Sequence, residues 1–252
     1  RGAHDLLMFH EHKSAVLFFS AGKDSLALLL LMQPYWDRIT VVWSNPGNPH
    51  AETSAYMGRI RELVPHFAEV RGDQPEWIKR NGWPVDVVPV TASLEGAIGA
   101  GTPPVPMVSF MRCCSANLWD PMRRYIAANP ASLVIMGQRQ GESLRNRMRD
   151  AEVSVIDGVT YWQPLHLWTA DQVVTYIESK GWDMPPFYDV GAESSADCWN
   201  CTAYLDHNRS RLRWMQRERP EMFAEIRPVL DALRARVNEH GRDLEGILNG
   251  AH

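Results

Sequence analysis

AVLFF (Ala15–Phe19), SAGKDS (Ser20–Ser25) and LALLLLM (Leu26–Met32) follow one another without a gap and decide the fold. The first is a short apolar run that stops abruptly, and the third is apolar on every side. That order marks a buried strand, a loop and a buried helix. The loop has small residues where backbone can approach a ligand closely, two hydroxyls and one lysine. The helix after it turns its first N–H groups outward, so the stretch has the parts of an anion cradle. A Walker-type P-loop is excluded. It requires glycine five residues before the Gly-Lys glycine and Ser or Thr after the lysine, where this chain has Leu17 and Asp24.

Outward from this unit, Ile39–Trp43 is a β-branched run closed by the turn-rich NPGNPH, Ala51–Val64 has helical periodicity, and Phe67–Val70 and Ser132–Met136 read as further strands. Strands alternating with helices predict an α/β fold, a parallel twisted sheet with helices on both faces. Ligands of such sheets gather at the carboxyl ends of the strands. Gly82–Pro106, with its GAGTPPVP run, reads as an ordered excursion or a mobile lid and not as a core element. Ala116–Asn129 reads as a helix, and Glu152–Trp162 as a hairpin turned at Asp157-Gly158. Thr169 with Gln172 three residues on is a capping box opening a helix that Gly181 ends. Two helical stretches, Arg209–Arg217 and Glu221–His240, come last. The expected division is a nucleotide-binding domain over residues 1–207 and a helical C-terminal segment over 208–252.

The 252 residues are 45% hydrophobic and 22% charged with a net charge of −4, which suits a globular domain and argues against a protein coated for nucleic acid. No apolar run reaches the roughly 18 residues of a membrane span. The opening RGAHDLLMFHEHK has no signal-peptide core, so a cytoplasmic location is expected. There, four cysteines in two close pairs, Cys113–Cys114 and Cys198–Cys201, point to metal or redox chemistry in place of structural disulfides.

Four motifs in order carry a resemblance. SAGKDS resembles the SGGKDS signature of the PP-loop ATP pyrophosphatases, with Ala21 at the first glycine. NPGNPHAET (Asn45–Thr53) resembles a DTG-or-NTG segment followed by an ET pair. GQRQGESLRNR (Gly137–Arg147) resembles a GIR-x-x-ES-x-R segment, with Arg139, Glu142, Ser143 and Arg145 in register, and WQPLHLWTADQVVTYI (Trp162–Ile177) a PL-x-x-W-x-x-x-D-V stretch. From Ala15 to about Cys201 the chain thus resembles the phosphoadenylyl-sulfate (PAPS) reductase family of the adenine nucleotide alpha hydrolase superfamily.

The resemblance implies ATP, or APS or PAPS, held by Ser20, Ala21, Gly22, Lys23, Asp24, Ser25, Asn45, Gly47, Arg139, Arg145 and Arg147. Lys23 would neutralise charge on leaving pyrophosphate, and Asp24 would orient Mg²⁺ or a donor, as the catalytic pair. The plainer readings are an exposed lysine on a turn, a solvated arginine loop, and core packing for Trp162 and Trp168.

RCC (Arg112–Cys114) and CWNC (Cys198–Cys201) resemble the pairs by which cluster-bearing sulfonucleotide reductases hold iron, which implies a [4Fe–4S] centre on Cys113, Cys114, Cys198 and Cys201. Zinc, a redox pair and plain buried thiols remain the alternatives. Two departures stand out. Asn117 and Leu118 occupy the positions of a basic pair in those reductases, and no cysteine follows Cys201 where the reductases carry their attacking thiol.

Three functions follow. The first is cleavage of ATP to AMP and pyrophosphate, in sulfur metabolism or nucleic-acid modification. The second is reduction of APS or PAPS with thioredoxin as partner. The third is a reductase-like accessory of a nucleic-acid-processing complex of the CRISPR type. Arg209, Arg211, Arg213, Arg217 and Arg219 suit the nucleic-acid partner of the third, although a solvated helix face is the plainer reading.

Overall fold

The computed structural model describes residues 12, 15–96, 98, 101, 103–129, 131–140, 151–193, 195 and 197–250. Its centre is a six-stranded sheet in the order β3-β2-β1-β6-β8-β7. The strands are β1 (Ala15–Phe18), β2 (Ile39–Asn45), β3 (Phe67–Arg71), β6 (Leu133–Ile135), β7 (Val153–Ile156) and β8 (Val159–Trp162). All neighbours pair in parallel except the β7–β8 hairpin, which turns through Asp157 (φ 50°) and Gly158 (φ 77°). Side chains alternate between the two faces, as the two-residue period of a strand dictates. Leu17, Val41, Leu133 and Ile135 face one core with helices α1 (Lys23–Leu31), α2 (Ala51–Leu63) and α6 (Ala170–Ser179), whereas Val16, Val42 and Val70 lie opposite with Tyr125 of α5 (Asp120–Ala128). Leu26, Leu28 and Leu29 are fully buried in α1, which explains a helix apolar on all sides. The capping box forms at Thr169 with both reciprocal bonds in place.

The chain runs outward from β1 to β2 to β3 and returns on the other side of β1 as β6. The order reverses between β1 and β6, and a crevice at their carboxyl ends is where open parallel sheets bind ligands. SAGKDS follows β1 there and GQR follows β6.

The structure corrects the reading of Gly82–Pro106. The segment opens with β4 (Trp83–Val85), which pairs in parallel with β5 (Met107–Ser109), and Val85 and Met107 form a second small core with Ala92 and Leu233. Pro and Gly density hid a three-residue strand whose partner lies about twenty residues on. Helix α3 (Gln74–Asn81) precedes it. Beyond β5, α4 (Phe110–Cys114) continues through one π-turn (Ser115–Trp119) into α5, with the first cysteine pair just before the π-turn. The C-terminal helices are α7 (Leu205–Glu218) and α8 (Pro220–Leu248). The Asp86 carboxylate accepts from the backbone N–H groups of Tyr204 and Leu205 at 3.0 Å each, fastening the start of α7 to the β4 end. Among the described residues no helix is long and apolar enough to cross a membrane.

Gly72 passes against the π-turn so closely that a Cβ there would lie 2.3 Å from the Asn117 carbonyl oxygen. Gly72→Ala is expected to destabilise the fold by about 3 kcal/mol, read as a lowered urea midpoint, because two backbones must separate.

Candidate functional site

The loop after β1 is braced from within. Ser25 Oγ donates to the Gly22 carbonyl at 2.8 Å and accepts from the Ser20 N–H at 3.3 Å, so Ser25 is buried while Ser20 stays exposed. Ala21 has φ 58°, in the left-handed region that costs an L-residue about 1 kcal/mol or more and that the glycine of the SGGKDS signature adopts freely. Lys23 Nζ reaches Asp24 Oδ2 at 2.8 Å, and the other oxygen of Asp24 accepts from Arg139 Nε. Both oxygens of Asp24 are thus engaged by protein cations. Gly137 permits this junction: a Cβ there would meet the backbone of Asp24 and Ser25 at 3.0 Å. The Lys23 N–H, at the start of α1, donates to the Tyr188 hydroxyl at 3.1 Å, and Lys23 Nζ stands 5.8 Å from the Tyr188 ring centroid.

The structure therefore brings Lys23, Asp24 and Arg139 together at the carboxyl ends of β1 and β6, the switch point of the sheet. Arg145 and Arg147, with Glu142 and Ser143, lie outside the described residues. Asn45 and Gly47 sit at the end of the neighbouring strand in a bracing role. Asn45 Nδ2 donates to Glu69 at 2.7 Å, its Oδ1 accepts from the Gly47 N–H at 2.8 Å, and Gly47 takes φ 101°.

The four cysteines converge as well. Cys113 is buried and the other three are partly buried. Desolvation pushes every one of the four thiols upward in pKa, Cys113 to about 12; for Cys113, Cys114 and Cys198 the charge of neighbouring thiols adds to it, whereas at Cys201 the charge of Arg211 opposes it. The Asn117 amide points at Cys113 Sγ (3.8 Å) and the Asn208 amide at Cys201 Sγ (3.9 Å). Asn117, at the position of a basic residue in cluster-bearing reductases, also donates to the Cys113 carbonyl at 2.9 Å and accepts from the Asp73 N–H, a bond that joins the π-turn to α3. Among the described residues no three His, Cys, Asp or Glu side chains close around a point as metal ligands.

Beside the thiols lies Arg211, 1% exposed, which removes it from the surface series containing Arg209 and Arg213. Its guanidinium donates to the carbonyls of Cys198, Trp199 and Cys201, to Asn208 Oδ1 and to His50 Nε2. Every one of these acceptors is neutral. Among the described residues no carboxylate stands within 4.0 Å of it, and a buried cation without an anion costs several kcal/mol. Asp197 lies farther off, and burial pushes its carboxyl up to about 7, so it is only partly charged at neutral pH. Four thiolates bound to a metal would supply the missing negative charge, so the chemistry of the donor set and its surroundings suits an anionic tetrathiolate site.

Tyr188, His50 and Arg211 were not singled out by sequence as site residues. Tyr188 belongs to no motif, and Arg211 lay hidden in a run of arginines that otherwise faces solvent. His50 lies inside the NPGNPH turn, 1% exposed, and burial followed by the charges of Arg211 and Arg219 pushes its pKa down to about 3. The neutral ring accepts from Arg211, which fixes its proton on Nδ1. An unfolded histidine protonates near pH 6.5 and this one not until about pH 3. The contribution of His50 to stability is therefore full above pH 6.5 and is lost as pH falls toward 3, by ~1.4 kcal/mol per unit. Burial of Asp197 acts with the opposite sign over the same range, and it is common to wild type and variant. Urea titrations at pH 7.5 and 5.5 are therefore expected to show the wild type losing about 1.4 kcal/mol relative to His50→Gln on going to the lower pH; equal changes in the two proteins contradict it.

The model of the phosphoadenosine phosphosulfate reductase domain matches residues 14–204. No curated protein sequence matches. Among solved structures, the crystal structure of PAPS reductase from Candida auris in complex with phosphate superposes with a TM-score of 0.52 at 14% identity, over 77% of this chain and 85% of that one. Two others align at 11% identity. A mutant FMN adenylyltransferase from Candida glabrata has a TM-score of 0.46 over 73% of this chain and 54% of that one. The U34-tRNA thiolase NcsA from Methanococcus maripaludis, with its [4Fe-4S] cluster, has 0.44 over 88% and 72%. With the loop, the switch-point crevice and the motif order in place, the chain belongs to the phosphoadenosine phosphosulfate reductase domain family, within the adenine-nucleotide-binding PP-loop superfamily.

Proposed function

We propose that this chain binds ATP at the β1–β6 crevice and cleaves it between the α and β phosphates, giving AMP and pyrophosphate or an adenylated acceptor. The junction of Lys23, Asp24 and Arg139 at the carboxyl ends of β1 and β6 carries the reading. An acceptor oxygen, from water or a second substrate, forms a bond to the α phosphorus while the bond from that phosphorus to the bridging oxygen breaks. The electron pair leaves on pyrophosphate, where Lys23 meets the growing charge. Asp24 holds Lys23 and Arg139 in place, and nucleotide phosphate replaces the Tyr188 hydroxyl at the Lys23 N–H. Arg145 and Arg147 belong to the same phosphate grip in this reading. Arg139→Ala is expected to weaken nucleotide binding by about 1–3 kcal/mol, the range of a charged hydrogen bond, and calorimetry measures it. Cys113, Cys114, Cys198 and Cys201 would hold a [4Fe–4S] cluster, which supplies a one-electron couple.

A second reading, reduction of APS or PAPS with thioredoxin, is favoured by the family match. It requires an attacking thiol, and all four cysteines of the sequence gather at one centre. Incubation with Mg²⁺ and α-labelled ATP separates the two. Labelled AMP is the expected product, labelled ADP contradicts the proposal, and sulfite from APS or PAPS without ATP turnover selects the second reading.

A further inference from the structure

The thiol centre and the nucleotide segment are joined by a hydrogen-bonded bridge that the proposed chemistry does not use. Arg211 holds the CWNC loop by the carbonyls of Cys198 (3.3 Å), Trp199 (3.1 Å) and Cys201 (3.4 Å), and Nη1 of the same guanidinium donates to His50 Nε2 at 3.0 Å. His50 opens α2 directly after the Asn45–Pro49 turn. Two more bonds run in parallel: the Trp199 N–H donates to the Asn48 carbonyl at 3.2 Å, and Asn48 Nδ2 donates to Asn200 Oδ1. From the other side the His50 ring lies against Phe187, with centroids 4.7 Å apart, and Tyr188 beside it accepts from Lys23. The path from CWNC to the phosphate loop is thus a chain of buried and part-buried contacts that starts at Arg211.

We infer that Arg211 is a positioning residue that couples the two sites. Nucleotide at the loop holds the Asn48–His50 turn, and through Arg211 it keeps the CWNC loop closed on the metal bound there. The inference rests on the nucleotide reading above, but on either metal equally. Only the planar fork of arginine spans the carbonyls and the imidazole together, so lysine, with the same charge, cannot replace it. Coupling of this kind is reciprocal, so stripping the metal lowers nucleotide affinity in turn.

The test uses protein purified without oxygen and follows loss of metal to a chelator with and without saturating α,β-methylene ATP. In the wild type the analogue is expected to slow release on the order of tenfold, the factor that one charged hydrogen bond supports. In Arg211→Met and Arg211→Lys the ratio is expected to fall to about one, with weaker binding of the analogue. A merely structural arginine would lower metal content and leave the ratio unchanged, which overturns the inference. So does a wild-type ratio of one when calorimetry shows the analogue bound. A flat calorimetric titration of the wild type overturns the nucleotide reading itself, and the coupling with it. If the chain carries no metal, maleimide labelling of Cys198 and Cys201 gives the same ratio with the same outcomes. If the Arg211 variants fail to fold, His50→Leu breaks the Arg211 link from the nucleotide side and is expected to lower the ratio several-fold, the Asn48 bonds remaining; an unchanged ratio overturns the inference.

Discussion

Lys23→Ala is expected to lower pyrophosphate release from ATP by at least about a hundredfold, the scale on which a preorganised charge acts in a transition state. The fold should survive. Lys23 Nζ meets Asp24 and the edge of the crevice, and Asp24 keeps its second partner Arg139 when the lysine is gone. Stability should change by less than about 1 kcal/mol, the worth of a part-exposed ion pair. A pyrophosphate-release assay beside a urea titration checks both halves. Wild-type turnover in the variant would remove Lys23 from the chemistry, and an unfolded variant would make it structural.

Loss of one cysteine should have an effect of similar size on a different observable. Protein purified without oxygen is expected to be brown with about four irons per chain, the content of a four-cysteine cubane. Cys198→Ser should bleach it and reduce iron to well below one per chain. The same change should expose the α7–α8 region to proteolysis. The CWNC loop is tied to β4 through Thr202 Oγ1 donating to the Pro84 carbonyl at 2.7 Å, and a metal joining Cys113–Cys114 to it couples binding to folding. Colourless protein with one zinc per chain would replace the cluster by a zinc site, and metal-free protein would leave four buried thiols. Neither outcome touches the nucleotide loop.

The sheet was legible because its central strands β1, β2 and β6 are short, mostly buried runs set between helices, and because SAGKDS fixes where β1 ends and α1 begins. The hairpin turn and the capping box were legible for the same reason: Asp157-Gly158 and Thr169-Gln172 are local chemistry that needs no partner elsewhere. What could not be read depends on pairing at a distance. β4 is three residues long and gains its place only from β5, so a Pro- and Gly-rich segment read as an excursion. At the site, Lys23, Asp24 and Arg139 were visible as motif residues, whereas their mutual engagement needed the sheet order. Arg211 illustrates the limit best. In a row with Arg209 and Arg213 it looks like one more surface charge, and only the turn of α7 sends it inward to the cysteines and His50. Tyr188 carries no signal at all, since a loop residue 165 positions from Lys23 meets it through tertiary structure alone.

The central claim is that nucleotide phosphate binds at the Ser20–Ser25 loop in the β1–β6 crevice, and a crystal structure of the chain soaked with α,β-methylene ATP tests it most directly. The account predicts phosphate oxygens within hydrogen-bonding distance of the Lys23 N–H and of Arg139, with the Tyr188 hydroxyl displaced from the Lys23 N–H. Phosphate density elsewhere on the protein, with the Lys23–Tyr188 bond intact, would contradict it.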